Sequence, residues 1–361
     1  MENYELVLNA DEKAVFALRS LYKKYGYSQY HMSKFEEYDL YAKNKNFLVS
    51  DNVITFTDTD GKLMALKPDV TLSIIKNDRE EDGVKKLFYN EHVYRVSKGT
   101  HSFKEIMQVG LECLGDIDDY SVIEVLFLAA KSLDCFSDDN VLDLSHLGLV
   151  KAVIEYCGVS ESGEEQIISY LSEKNAEGVR MVCENEQLDE EKTNILSSLV
   201  TIYGPCEEVL GKLSVFEVNE KAKGAIENLK QTVEGLNALG VNQKVRIDFS
   251  VINDVKYYNG VVFKGFVSGI PSGILSGGQY DNLMAKMGKK SRAVGFAVYL
   301  DDIERLTESS ADFDVDVAIE SGSACSSEIL KTVKSVVDGG ESVLVERKIP
   351  QSVKYKRIIK L

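Results

Sequence analysis

Most of the architectural information in this chain lies in one stretch, Ser276–Leu306, which reads SGGQYDNLMAKMGKKSRAVGFAVYLDDIERL. It opens with a Gly-Gly-x-Tyr-Asp sequence at Gly277 to Asp281, which predicts a turn leading into a helix. Ala293 to Ala297 follow as a run of small residues that predicts a buried strand, and a second helical pattern begins beyond it. Paired glycines let a backbone approach a ligand closely, although a tight turn before a helix would require them equally.

The composition is that of a folded protein without a membrane segment. Of the 361 residues, 44% are hydrophobic and 28% are charged, which is ordinary for a globular domain. No run approaches the roughly 18 apolar residues that a spanning helix requires. The N-terminal residues, MENYELVLNADEKAVF, carry acidic groups where a signal peptide would be basic and apolar. We therefore expect a cytoplasmic protein.

Neither the cysteines nor the histidines suggest a metal site. The six cysteines are scattered without a C-x-x-C pair, which predicts reduced, packed thiols rather than zinc ligands. None of the four histidines stands four residues from another, so a histidine-based metal site is not expected. No phosphate-loop or dinucleotide motif is present either, and we expect no cofactor. The net charge of −16 argues against a nucleic-acid partner, since phosphates are bound by basic patches.

Helices and strands alternate along the chain in a way that predicts the α+β class. Apolar periodicity predicts long helices at Asp11–Tyr25, Asp118–Leu133 and Ala225–Leu239. Residues from about 147 to 213 show a purely helical and acidic pattern, which we interpret as a helical insertion. The predicted strands lie on both sides of it, at 52–57, 62–66, 87–94, 103–113, 245–251, 261–267 and 293–297.

Two domains are expected from this order. Residues 1–311 should form one sheet flanked by helices and assembled from both sides of the insertion. Residues 312–361 show a strand, a helix and a strand, which predicts a small α/β appendage at the C-terminal end.

One predicted strand could form the floor of a binding site. Along Gln108-Val109-Gly110-Leu111-Glu112, strand alternation places Gln108, Gly110 and Glu112 on one face. Gly110 would leave the centre of that face bare, so that a small ligand could lie on the backbone with a polar group at each end. The simpler interpretation is an exposed polar face with a bulge at Gly110, and on strand geometry alone it is preferred.

Two further sequences carry polar groups at the ends of predicted elements. Asp69 and Thr71 could hold an ammonium group, although the same residues are those of an ordinary helix start. Tyr257 and Tyr258 enter a predicted strand, which would place one ring on each face of the sheet. Taken singly, each of these sequences is explained by packing or capping.

Taken in order, these motifs resemble the catalytic domain of histidyl-tRNA synthetase, a class II aminoacyl-tRNA synthetase, over Lys13 to Leu306. Leu66-Lys67-Pro68-Asp69-Val70-Thr71 is similar to L-R-P-E-x-T, Tyr257-Tyr258 to the end of R-G-L-D-Y-Y, and Gly277 to Leu283 to G-G-R-Y-D-G-L. The resemblance implies a class II antiparallel sheet. It also implies a free-histidine site, whose residues would be Asp69, Thr71, Gln108, Glu112, Tyr257 and Tyr258.

The departures from that family fall on the residues that would bind ATP. Arg95 matches the ATP-contacting arginine of motif 2, but Asn253 replaces the arginine of R-G-L-D-Y-Y. Gln279 replaces the arginine of G-G-R-Y-D, and Asp302 stands where an arginine would clamp the triphosphate. A close contact between unit charges is worth about 4 kcal/mol at an effective dielectric near 20. The resemblance therefore implies a degenerate ATP site at Arg95, Asn253, Gln279 and Asp302, and no catalysis.

A synthetase-like domain without these arginines resembles the regulatory subunits of short-form ATP phosphoribosyltransferase. That resemblance implies a non-catalytic chain that acts with a catalytic subunit in the first step of histidine biosynthesis. It further implies L-histidine as effector and a homodimer within a hetero-octamer. Two alternatives stay open. One is a divergent histidyl-tRNA synthetase that uses Arg305 and Arg95, and the other is a synthetase-like paralogue that binds another small molecule.

Overall fold

The chain divides into two compact units, Met1–Ile303 and Glu304–Leu361. The computed structural model describes residues 8–44, 53–80, 83–96, 102–252, 257–301, 303 and 313–361. Asn253 and Asp302, two residues of the predicted degenerate ATP site, lie outside the described residues, as does Arg305. No described helix is both long and apolar enough to cross a membrane.

The first unit contains eleven α-helices among its described residues. They are α1 (Ala10–Lys24), α2 (Tyr38–Lys43), α3 (Thr71–Asn77), α4 (Asp119–Leu133), α5 (Leu147–Cys157), α6 (Glu161–Ser172), α7 (Ala176–Asn185), α8 (Glu190–Thr201), α9 (Cys206–Leu210), α10 (Glu220–Ala238) and α11 (Asp281–Lys286). The three long helices predicted from periodicity are confirmed as α1, α4 and α10, with ends displaced by a few residues at most.

The strands of the first unit form one large and one small sheet. They are β1 (Ser28–Gln29), β2 (Phe35–Glu37), β3 (Thr55–Thr57), β4 (Leu63–Leu66), β5 (Val84–Val96), β6 (Phe103–Gly115), β7 (Asn140–His146), β8 (Tyr203–Pro205), β9 (Val245–Asp248), β10 (Val261–Val267), β11 (Leu275–Gln279) and β12 (Arg292–Tyr299). The large sheet has the order β1-β5-β6-β12-β11-β10-β7-β9-β8, and β2-β4-β3 form the small one.

The large sheet confirms the predicted α+β class. Its neighbours are antiparallel except for the pairs β1–β5 and β7–β9, which are parallel. The strand β6, which precedes the helical insertion, pairs directly with β12, which follows it, and the two run antiparallel. The prediction of a single sheet assembled from both sides of the insertion is therefore confirmed.

One face of the sheet is sealed by aromatic packing against α1 and α4. Tyr22 of α1 meets Phe296 of β12 edge-on, with ring centroids 6.0 Å apart. Phe296 in turn lies 6.1 Å from Phe263 of β10. Tyr22 also shares a hydrogen bond with Ser132 of α4 at 2.9 Å. The opposite face of the same strands, which carries Gln108 and Glu112, is the one available for a site.

Two features of the first unit correct the sequence prediction. The helical insertion also contains a strand, β8, which pairs with β9 at the sheet edge. Its Gly204 and Pro205 are residues of turns and edges, so the strand signal is weak. Gly277 and Gly278 lie within β11 and not in a turn. A Cβ on Gly277 would lie 2.4 Å from the Gly295 carbonyl oxygen, so close strand packing explains this glycine.

The second unit is a three-stranded parallel sheet with a helix. The strand β13 (Val315–Glu320) lies between β14 (Val343–Glu346) and β15 (Tyr355–Lys360), and α12 spans Ser326–Asp338. The strand β15 was not predicted, because its lysines and arginine obscure the apolar pattern. Lys356 pairs with Asp316 and Arg357 with Glu341 on the surface.

A local prediction concerns the start of α4. The Asp118 carboxylate accepts a hydrogen bond from the Ser121 backbone N–H at 2.9 Å and from its hydroxyl at 2.7 Å. Asp118→Ala should therefore lower the free energy of unfolding by about 1 kcal/mol, the usual value of a lost N-cap. Urea denaturation followed by circular dichroism measures the change. Asp119→Ala, one residue further on, is the matched control, and equal losses in both variants would contradict the capping role.

Candidate functional site

The centre of the site is the carboxyl group of Glu112 on β6. The side chain is 2% exposed, and hydroxyl groups from two other elements donate to it. The Thr71 hydroxyl of α3 donates to Oε1 at 2.7 Å, and the Tyr280 phenol, at the start of α11, donates to Oε2 at 2.5 Å. Three segments that are far apart in sequence are thereby joined at one carboxyl group.

The backbone of the neighbouring strand makes room for this group. Gly295 of β12 stands directly opposite Glu112 in the sheet register. A Cβ at Gly295 would lie 1.8 Å from Oε2 of Glu112 and 2.5 Å from the Leu111 carbonyl oxygen. Any larger residue would displace both, so the glycine is required for the carboxyl group to lie across the strand.

Burial strongly changes the proton affinity of Glu112. Loss of hydration raises the pKa of the carboxyl group from 4.5 to about 8. The hydroxyl groups of Thr71 and Tyr280 lower it and the Asp69 carboxylate raises it, but both effects are smaller than that of burial. At neutral pH the protein therefore holds this carboxyl group largely as the neutral acid.

Asp69 combines a structural and a possible binding role. Its Oδ1 accepts from the Leu72 backbone N–H at 2.9 Å, as at a helix start. Burial raises its pKa, against the lowering effects of the backbone N–H groups and of Arg95. The guanidinium Nε of Arg95 donates to the Pro68 carbonyl oxygen at 3.0 Å. Arg95 thus contacts the backbone of the residue that precedes Asp69.

Gln108 lies on the same face as Glu112, as strand alternation predicts. The side chain is 3% exposed, and its Nε2 has no hydrogen-bond partner. A buried amide without a partner costs free energy, so this N–H₂ group is a candidate donor to a ligand oxygen. Across the sheet from Gln108 stands Glu91, which forms a 2.5 Å ion pair with the buried Lys67.

The surface at Gly110 is not bare, in contrast to the sequence prediction. A Cβ there would lie 2.4 Å from the Tyr89 hydroxyl and 2.5 Å from the Phe296 carbonyl oxygen. Tyr89 stands opposite Gly110 in the register of β5 and β6, and its ring is fully buried. The glycine therefore accommodates the phenol of Tyr89, and a ligand cannot lie directly on this backbone.

The paired tyrosines also differ from their predicted placement. Tyr257 and Tyr258 precede β10 rather than lying within it, and both rings pack in one cluster, with centroids 4.6 Å apart. Tyr257 further lies 5.7 Å from Tyr280. Sequence analysis missed Tyr89 and Tyr280 as pocket residues. Alternation along β5 could have identified Tyr89, whereas the contact of Tyr280 depends on a long-range approach.

Of the three residues that replace arginines of the family, Gln279 is the one that lies among the described residues. Its side chain has a structural role. The side chain is 6% exposed, and its Oε1 accepts from the Val261 backbone N–H at 2.9 Å. A Cβ on Gly260 would lie 2.1 Å from the same oxygen. The amide is thus held against the start of β10. Within the described part of the chain, no cluster of histidine, cysteine, aspartate or glutamate could hold a metal ion.

Comparison with known proteins places this geometry in context. The family model described as histidyl-tRNA synthetase matches residues 7–303. An ATP phosphoribosyltransferase regulatory subunit from Clostridium kluyveri is 28% identical over 304 residues, which are 82% of this chain and 78% of that protein.

Two solved structures share the fold. One is an ATP phosphoribosyltransferase regulatory subunit/histidyl-tRNA synthetase from Bacillus halodurans C, with a TM-score of 0.79 and 22% identity over 97% of this chain and 93% of that one. The other is from the ATP phosphoribosyl transferase (HisG:HisZ) complex of Thermotoga maritima, with a TM-score of 0.64, 18% identity and coverage of 83% and 98%.

The raised pKa of Glu112 predicts a pH-dependent stability difference. Between pH 4.5 and about 8 the folded protein binds a proton at this group that the unfolded chain releases. The contribution of Glu112 to stability therefore falls as pH rises through this window and is constant on either side. Glu112→Gln lacks this dependence. Its free energy of unfolding, relative to the original protein, should rise from pH 5 to pH 8 by more than about 1.4 kcal/mol, the value of one pKa unit.

Urea denaturation of both proteins at pH 5, 6.5 and 8, without ligand, measures this difference. Comparing the two proteins cancels the titration of all other groups. A difference that stays constant across the three pH values would show that Glu112 titrates normally.

Proposed function

This chain belongs to the histidyl-tRNA synthetase family, and we propose that it is a non-catalytic regulatory subunit of a short-form ATP phosphoribosyltransferase. In this role it supports a separate catalytic subunit in the first step of histidine biosynthesis and transmits feedback control by L-histidine. The observation that carries the proposal is a contrast between two sets of residues. The residues that match the histidine-binding groups of the family are kept, whereas the arginines that would hold ATP are replaced at Asn253, Gln279 and Asp302.

The retained groups match the functional groups of histidine. Asp69 supplies a carboxylate for the α-ammonium group, and Thr71 stands beside it on α3. Glu112 supplies an acceptor for a ring N–H, deep in the sheet. The unpartnered Nε2 of Gln108 supplies a donor for a ligand oxygen. Tyr257 and Tyr258 add aromatic surface at the ring position.

The lost groups are those on which adenylate chemistry depends. Adenylyl and phosphoryl transfer are catalysed mainly by cations that stabilise charge on the phosphates. Gln279 is neutral, and its amide is used by the Val261 backbone. Asn253 and Asp302 replace two more cations in the sequence. Arg95 keeps the cation of motif 2, and its Nε donates to the Pro68 carbonyl oxygen.

The proposed partner is the catalytic subunit, and the proposed assembly is a cytoplasmic hetero-octamer built on a homodimer of this chain. The relative from Clostridium kluyveri is named as a regulatory subunit, and the related Thermotoga maritima structure is a HisG:HisZ complex. Both names support a partner of this kind. The net charge of −16 fits a protein partner better than a tRNA.

The first test is histidine-dependent ATP–pyrophosphate exchange on the purified chain, with a true histidyl-tRNA synthetase as positive control. We expect no exchange above background. The chain is then mixed with a short-form catalytic subunit, and formation of phosphoribosyl-ATP is measured. Activity should rise on mixing and fall again when histidine is added. Exchange by the chain alone would favour a divergent synthetase, and failure to alter the catalytic subunit would reject the regulatory role.

A second test concerns the ring-binding group. Glu112→Gln should weaken histidine binding by about 1.5–3 kcal/mol, because a hydrogen bond to a charged group is replaced by a neutral contact. Titration calorimetry on the purified protein at pH 7 measures the affinity. Glu105→Gln is the matched control, since Glu105 lies at the exposed end of the same strand. Unchanged affinity in Glu112→Gln would mean that this carboxyl group does not read the ring.

A further inference from the structure

The site contains two acids, the buried Glu112 and the half-buried Asp69, and few positive charges. Loss of hydration raises the pKa of both carboxyl groups, and the Asp69 carboxylate raises that of Glu112 further. In the described part of the chain, no lysine, arginine or histidine forms an ion pair with either carboxyl group. Arg95 lies closest to Asp69, and its Nε is engaged by Pro68. Buried carboxyl groups favour a cationic partner, since an unpaired charge in the interior is costly.

The groups around Glu112 reinforce this preference. The ionisable side chains that face it are Asp69, Tyr89, Tyr257 and Tyr280, and burial raises the pKa of each of the three phenols. None of them supplies a positive charge. The ring centroids of Tyr257 and Tyr258 are 4.6 Å apart, and those of Tyr257 and Tyr280 are 5.7 Å apart. Aromatic faces attract cations through the ring quadrupole, so this tyrosine cluster favours the same ligand charge as the two carboxyl groups.

We propose that the pocket binds histidine with its ring in the imidazolium form, so that the bound ligand carries two positive groups against Asp69 and Glu112. This inference rests on the proposed histidine site and specifies the charge state that the site selects. It does not depend on the identity of the catalytic partner.

The number of protons held before and after binding sets the pH dependence of histidine affinity. The ordinary pKa of an imidazole is about 6.5, and the pKa of Glu112 is raised to about 8. Between these two pH values the ring of free histidine is neutral, and Glu112 of the ligand-free protein holds one proton. On binding, that proton passes from the Glu112 carboxyl to the ring nitrogen, and none is exchanged with solvent. Below this window both partners are protonated and binding releases one proton. Above it neither is protonated and binding takes one up.

Histidine affinity should therefore be highest between about pH 6.5 and 8 and fall by about tenfold per pH unit well beyond either limit. A neutral ring bound against an ionised Glu112 predicts a different curve, because that complex would hold no proton and the ring would cause no loss of affinity above pH 8. A neutral ring that accepts a hydrogen bond from a protonated Glu112 would hold the same single proton as the imidazolium pair. Only a ligand whose ring cannot take up a proton separates these two states.

The test is titration calorimetry of histidine binding from pH 5.5 to 9.5, in paired buffers whose ionisation enthalpies differ. The buffer dependence of the heat counts the protons exchanged. We expect release of one proton on the acid side and uptake of one on the alkaline side. The α-ammonium group also titrates at alkaline pH, so the same titration is made with 1,2,4-triazolylalanine. That ligand has the same amino and carboxylate groups and a ring that stays neutral.

Histidine should bind at least tenfold more tightly than triazolylalanine at pH 7, and the preference should decline above pH 8. Glu112→Gln should remove most of the preference, and Glu105→Gln should leave it intact. Equal affinities for the two ligands, or an affinity ratio that stays constant from pH 7 to pH 9.5, would overturn the imidazolium assignment and leave the histidine site standing. Absence of any histidine binding between pH 5.5 and 9.5 would overturn the site and the assignment together.

Discussion

The carboxyl group of Glu112 is the point on which the rest of the pocket depends. It is buried on β6 of the large sheet, and its two oxygens accept hydrogen bonds from Thr71 and Tyr280. Those two hydroxyl groups fix the start of α3 and the start of α11 over the same strand. The same carboxyl group requires a glycine at position 295, since a Cβ there would overlap the Glu112 side chain. A carboxyl group that costs free energy to bury is thus also what holds separate elements together.

The pocket and the catalytic chemistry of the family are physically separable in this chain. Residues that would contact histidine are placed by strand register and helix starts, on which the fold itself depends. Residues that would contact ATP are cations, and they contribute to catalysis through their charge. Gln279 illustrates how such a charge is lost without damage, because its amide oxygen accepts from the Val261 N–H and leaves no buried group unpaired. The scaffold can therefore retain an amino-acid site while adenylate formation disappears.

Local pattern was enough to predict the face that carries Gln108 and Glu112, since alternation along a strand is a property of the backbone. It also predicted α1, α4 and α10, which each bury one apolar stripe. The errors arose where distant strands impose the constraint. Gly277 and Gly110 look like turn or ligand-contact glycines, but the Gly295 carbonyl and the Tyr89 phenol explain them. Tyr280 likewise reaches Glu112 across 168 positions of sequence, which no local pattern encodes.

Under the proposed function, histidine satisfies buried polar groups on the face of β6 that carries Glu112. Gln108 Nε2 is buried without a hydrogen-bond partner in the protein, and burial raises the pKa of Glu112 to about 8. A ligand that satisfies these groups stabilises the folded state in proportion to its affinity, with no new contact elsewhere in the chain. An effector can shift a conformational equilibrium only by its difference in affinity for the two states. Under the proposed function, that difference comes from the hydrogen bonds that histidine makes to these buried groups in one state and not in the other.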